Sequence, residues 1–339
     1  MNVKLSKTIT HVNTLMTLFI VAMHTTWPEE TRLRPLLVLT NMAVPTFFFL
    51  SAFLYFKDWT PTWQCYKNKL CSRFYSLLIP YISYNVIFYL YYCVKIYLLH
   101  KTTAKVMPTD PVGAIICILS GIPDGVLWYV QDLMIFVVIA PLLGILIRHS
   151  KRWLIPILLG SVICPSLSYF NLFYWTPWLA VGAYCALYVQ DVGKFVEPVR
   201  KRLSGNNLIG VVLLMSLVAV CMLVSMQEDN AVLDYLCRIV LTVLLALFCC
   251  VWQKILPSWF VVRVSPLCFF IYCSHPAFTD VAKAVIQPLM SEIPYQITYS
   301  VMLMSVLISV IISGMLLQRI PWLWSLLSGF RSKKTSIVR

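Results

Sequence analysis

Charge is what this chain has least of. Of 339 residues only 12% are Asp, Glu, Lys or Arg, and just 13 are acidic, where a globular domain carries about 25% charged residues. No polar block is long enough to be a separate soluble domain, and the weakly apolar stretches around 57–73, 100–112 and 190–206 read as connectors. There is no C-x-x-C pair among the twelve cysteines, which removes a zinc or dithiol redox motif. No serine or cysteine has a G-x-S-x-G context, which argues against an acyl-enzyme nucleophile. The first apolar run lacks a small-x-small cleavage pattern, since bulky, polar HTTWPEE follows it, so it reads as a retained span. No repeat or low-complexity tract stands out.

Apolar residues fill the space that charge leaves. They make up 60% of the chain, with a mean hydropathy of +0.81. A soluble fold could not hide that much apolar surface, so lipid is its solvent. Cysteines such as Cys221, Cys249 and Cys250 sit within apolar runs, where a thiol acts as a small hydrophobe. Windows of about 20 apolar residues predict an all-α polytopic membrane helix bundle, residues 1–339 forming one integral-membrane domain. About ten transmembrane helices are expected, near 8–27, 35–56, 77–99, 125–148, 153–170, 172–190, 207–226, 232–252, 264–284 and 298–319. Residues 111–122, PVGAIICILSGI, are too short to cross and are expected to form a re-entrant or interfacial piece.

An even count puts both termini on one side. With both termini cytoplasmic, 20 of the 27 Lys and Arg residues fall inside and ten of the 13 acids outside. That is the positive-inside asymmetry. It accounts for the formal net charge of +14 without nucleic acid.

Against this background, ionisable groups inside spans are functional candidates by default. In LFIVAMHTTWP, His24 ends the first span, about 25 Å from Lys7 at the helical rise. Asp132, in LWYVQDLMIF, lies about 10 Å into the fourth span. His275, in FFIYCSHPAF, falls in the outer half of the ninth. In this topology the three reach a similar level. Asn13, Thr17 and His24 share a helical stripe, Trp128 and Asp132 are one turn apart, and Tyr272 and His275 are three residues apart.

Structural roles compete for each. His24 suits a headgroup boundary. Asp132 can pair with Arg238, at the outer side of the eighth span. His275, before Pro276, can serve carbonyls freed at a kink. Trp27, Trp128 and the tyrosines suit an interfacial belt. Functionally, a neutral imidazole oriented by a carboxylate can take the proton of a hydroxyl that attacks an acyl group.

Six segments resemble the membrane-integral acyltransferase family, the acyltransferase-3 group of bacterial O-acetyltransferases. They are LFIVAMH ending at His24, VPTFFFLSAFLYF at 44–56, KNKLCSRFYSLLIPYISYN at 67–85, LWYVQDLMIFVVIAPLL at 127–143, FYWTPWLAVGAY at 173–184 and SPLCFFIYCSHPAF at 265–278. The resemblance implies a multi-pass enzyme of the cell inner membrane. Its co-substrate would be acetyl-CoA or another acyl-CoA from the cytosol, with no bound cofactor. Its acceptor would be a hydroxyl of a surface polysaccharide or lipid-linked glycan. It implies His24 as the base; Asp132 and His275, at a similar depth in the predicted spans, are the further catalytic candidates.

Lys67, Lys69 and Arg73 match a basic cytoplasmic segment suited to the phosphates of CoA; positive-inside charge explains the lysines equally well. Asn13, Trp128, Gln131, Tyr272 and Arg238 complete the expected binding set. Two positions depart from the family pattern: Asn13 and Gln131 stand where Arg or Lys, and Arg, are usual. Lys7, Arg73 and Arg238 are the cations left to compensate. A transporter or flippase of polysaccharide intermediates is the alternative reading. The many tyrosines and tryptophans favour it, and the lack of an inverted repeat opposes it.

Overall fold

A computed structural model describes residues 3–26, 34–100, 105, 107–157, 172–188, 212, 215–216, 219–220, 235, 238–242 and 256–330. Every described element is a helix. They are α1 (Val3–Thr25), α2 (Arg34–Thr40), α3 (Ala43–Phe56), α4 (Trp63–Arg73), α5 (Ile79–Cys93), α6 (Pro111–Ser120), α7 (Trp128–His149), α8 (Leu172–Tyr188), α9 (Ser258–Val264), α10 (Cys268–Leu289), α11 (Tyr295–Leu317) and α12 (Pro321–Ser328). Short π and 3-10 turns extend several of them. Among the described residues five helices are long and apolar enough to cross a membrane: Leu36–Phe56, Trp63–Leu98, Gly125–His149, Ser258–Leu289 and Tyr295–Leu317. The expected spans at 153–170, 207–226 and 232–252 fall mostly or wholly outside the described residues.

Chain contacts divide the molecule into two compact units, Met1–Cys65 with Ile139–Cys268, and Tyr66–Val138 with Phe269–Arg339. In the first, α3 packs along α8. Gly182 makes this possible: a Cβ there would lie 2.4 Å from the Phe49 carbonyl oxygen. Phe48 and Trp175 stack with centroids 5.2 Å apart. Gly144 lets α7 approach Phe56 and Trp59, whose ring also receives the Arg148 guanidinium at 5.5 Å. On α1, Thr10, Thr14 and Thr17 each bond to the carbonyl four residues back, which lets polar residues sit in an apolar packing.

The second unit departs from expectation at its beginning. Residues 57–73 read as a connector, yet the helix starts at Trp63 and runs on to Leu98. Pro61 precedes it, and the Thr62 hydroxyl accepts from the Cys65 N–H at 3.3 Å, a capping turn. No glycine or proline interrupts the chain until Pro80. Low hydropathy hid a sequence that is fully competent for helix. At about 1.5 Å per residue this helix is longer than the roughly 30 Å hydrocarbon core. Its first turns, carrying Lys67, Lys69 and Arg73, have no buried residue. The ninth span likewise begins early, at Ser258 rather than 264.

The short apolar segment is a helix folded back on α5. Asp110 caps it by accepting from the Gly113 N–H at 2.6 Å, Pro111 occupies its first turn, and Gly121 ends it at φ 76°. A Cβ at Gly121 would lie 2.6 Å from the Tyr81 hydroxyl oxygen. Three tyrosines stitch the pair. Tyr97 donates to the Met107 carbonyl at 2.8 Å, Tyr89 to that of Pro108, and Tyr81 to that of Leu119 at 3.0 Å. Descending α5 thus meets ascending residue numbers, so α6 runs antiparallel to it. Beyond it, Gly329 (φ 70°) brings the end of α12 onto the Ser76 backbone, where Phe330 meets Tyr75 edge-on at 5.9 Å.

Candidate functional site

Sequence-predicted site residues occur in both units. In the first, His24 lies in the last turn of α1 with its side chain exposed, Asn13 is half-buried, and Thr17 is 2% exposed. The Thr17 hydroxyl bonds to the Asn13 carbonyl at 2.9 Å. Arg238 is buried in this unit.

The second unit holds Lys69, Arg73, Trp128, Gln131, Asp132, Tyr272 and His275. Lys69 and Arg73, one turn apart on α4, are half-exposed. Trp128 and Gln131 are half-buried at the start of α7, while Asp132 is 6% exposed and its Oδ2 has no hydrogen-bond partner among the described residues. On α10, His275 is completely buried. Its Nδ1 lies 2.8 Å from the Tyr272 carbonyl oxygen and 3.2 Å from that of Ile271. Pro276 has no N–H to give Tyr272, four residues back, so the imidazole replaces the missing donor. A carbonyl only accepts, so the proton sits on Nδ1. In the neutral tautomer this leaves Nε2 as the basic nitrogen.

Tyr272 ties these helices together. Its hydroxyl donates to the Val126 carbonyl, just before α7, and its ring meets Tyr129 edge-on at 5.8 Å. Asp132 follows Tyr129 by three residues on α7, and His275 follows Tyr272 by three on α10.

Sequence reading missed a second set of polar groups in this unit. Asp124 and Asn85 are 1% and 0% exposed. The Asp124 N–H donates to Asn85 Oδ1 at 3.3 Å, its Oδ1 accepts from the Val126 N–H at 3.4 Å, and Asn85 Nδ2 donates to the Tyr81 carbonyl at 2.9 Å. Burial pushes the Asp124 carboxyl up to about 7, against the opposing pull of the Val126 N–H and Lys105. Lys105 donates to the Pro123 carbonyl at 2.6 Å and lies 4.9 Å from the centre of the Tyr92 ring. Burial lowers its pKa while Asp124 and Asp280 oppose that. Asp280 in turn binds Lys95 at 2.7 Å and the Tyr91 hydroxyl at 3.1 Å. A signal existed for Asn85, a polar residue inside the apolar SYNVIF. Asp124, in IPDGV, reads as an ordinary turn.

Among the described residues no group of His, Cys, Asp or Glu is arranged to hold a metal ion. Comparison with known proteins adds the family. A family model described as an acyltransferase domain, that of the acyltransferase-3 group, matches residues 10–317. No curated protein and no solved structure matches the chain. Apolar helices long enough to cross a bilayer and a match over nearly the whole length lead to one conclusion: the chain belongs to the acyltransferase-3 family and is a multi-pass membrane acyltransferase.

Proposed function

We propose that this chain is an O-acyltransferase of the cell inner membrane. It moves an acyl group, acetyl in the simplest case, from cytosolic acyl-CoA to a hydroxyl of a surface polysaccharide or lipid-linked glycan precursor. Ten spans with both termini in the cytoplasm is the topology that the distribution of lysine and arginine favours.

His24 is the general base. It removes the proton of the attacking hydroxyl as oxygen bonds to the thioester carbonyl carbon. Collapse of the tetrahedral species breaks the C–S bond, and the proton passes to the departing CoA sulfur. Asp132 and His275 are further catalytic groups, and Tyr272, Trp128, Gln131, Asn13 and Arg238 contact substrate. Lys69 and Arg73, half-exposed and one turn apart on α4, take the phosphates of CoA.

The observation that carries this reading is the burial of Asp132 and His275 on two helices joined at Tyr272. Ionisable groups in apolar spans are expensive, and are kept where chemistry uses them. Mass spectrometry of surface glycans from wild-type, deletion and His24→Ala cells tests it. Acyl groups should be present in the first and absent from the other two, with His24→Ala protein at its normal level in the membrane. Full acylation by His24→Ala would remove His24 from the reaction.

A further inference from the structure

Buried hydroxyls in these helices generally satisfy themselves. Thr14, Thr17, Thr25, Thr46 and Ser274 each donate to the carbonyl four residues back. Thr279 does not. It is 5% exposed, its Oγ1 has no hydrogen-bond partner among the described residues, and it lies one turn beyond His275 on the same face of α10. Among the described residues Asp124, like Asp132 and Ser328, also holds a bare buried polar atom. The Asp124 Oδ1 and N–H are engaged, but its Oδ2, in a residue only 1% exposed, has no partner among the described residues.

Each bare polar atom costs about 1–3 kcal/mol, and an isosteric apolar side chain in its place removes that penalty. Two such atoms are a standing loss of stability, of the sort retained where a ligand uses it.

Their surroundings are shared. Val126, two residues after Asp124, accepts from Tyr272, and Thr279 is two turns along α10 from Tyr272. Lys105 feels both Asp124 and Asp280, the neighbour of Thr279. The backbone from Gly121 to Asp124 is a break between α6 and α7. Within a membrane protein, irregular backbone persists where protein buries it or where it lines a polar path.

We propose that Asp124 Oδ2 and Thr279 Oγ1 form a binding subsite for the hydroxyl groups of the acyl acceptor. A carboxylate only accepts, and a threonine hydroxyl both donates and accepts, so the pair suits a sugar diol. That the ligand is a hydroxyl-rich acceptor rests on the function proposed above; the two unpartnered atoms do not. Lys105 donates to the Pro123 carbonyl beside this turn.

The test uses the purified full chain in lipid nanodiscs, with Asp124→Asn and Thr279→Val. The probe is the glycan fraction released from producing cells, intact or after periodate cleavage of its vicinal diols. Intact glycan should raise the wild-type Tm, and the oxidised fraction should not. Without glycan, both variants should melt at or above the wild-type Tm at about pH 8, since Thr279→Val removes a bare hydroxyl and Asp124→Asn removes a buried charge. Both should bind the intact fraction about tenfold or more weakly. Wild-type affinity in either variant, a lower Tm without glycan, or no response of the wild type to intact glycan would each overturn the subsite. If the wild type binds glycan in the diol-dependent way but transfers no label from radiolabelled acetyl-CoA, the transferase reading fails and the subsite stands.

Discussion

Lys95 Nζ lies 2.7 Å from Asp280 Oδ2, and the same oxygen accepts from the Tyr91 hydroxyl at 3.1 Å. The residues are 185 positions apart in the chain, so the pair fastens the end of the long Trp63–Leu98 helix to α10. Both side chains are only partly exposed, and removing one partner leaves the other charge poorly solvated. Lys95→Ala should lower stability by about 1–3 kcal/mol, read by thermal unfolding in detergent. The exchanged pair Lys95→Asp with Asp280→Lys should recover part of it. No recovery would mean that geometry around Tyr91, not charge, sets the contact.

Asp124 makes stability depend on pH. Its carboxyl is raised by burial from the ordinary value of about 4 to about 7 in the folded chain. The folded state therefore holds this proton more tightly than the unfolded state does. Its contribution is full below about pH 4 and is lost as the pH rises towards 7, then stays flat. Asp124→Asn should lack that decline. Melting curves across this range should converge in acid and separate, with the variant higher, near neutrality.

His275 separates a structural role from a chemical one. Asparagine can still offer an N–H near the Tyr272 carbonyl, whereas alanine leaves that carbonyl bare. His275→Ala should lose about 1–3 kcal/mol of stability and His275→Asn less. If the imidazole acts in the reaction, both should lose transferase activity, by roughly a hundredfold or more. An active His275→Asn enzyme would confine the residue to the kink at Pro276.

Gly182 tests the packing of α3 on α8. A methyl group there meets a backbone oxygen at 2.4 Å and the Ala52 Cβ at 3.1 Å, and neither can swing away. Gly182→Ala should destabilise by about 1–3 kcal/mol. Unchanged melting would show that the two helices can separate without loss.

Local rules made parts of this molecule legible in advance. Asp110, Pro111 and Gly121 bracket α6 through capping chemistry that acts within one turn. Pro276 beside His275 announced a freed carbonyl and a donor for it. The helix from Trp63 was hidden because its polar residues lowered hydropathy without weakening its helical propensity. Asp124 was hidden because an Asp-Gly pair reads as a surface turn, whereas here Asn85, 39 residues away, takes it into the interior.

What the sequence by itself determined is the solvent and the secondary structure. So large an apolar excess requires lipid, and a chain in lipid must satisfy its backbone within its own helices. Only the tertiary structure decided which polar groups are buried and what they meet: Tyr272 on Val126, Asp280 on Lys95, Asp124 on Asn85. The reason is that lipid-facing and protein-facing positions of a membrane helix are alike in hydropathy. No apolar run states which face will meet which helix; the returning chain settles that, and with it which side chains are left to bind a substrate.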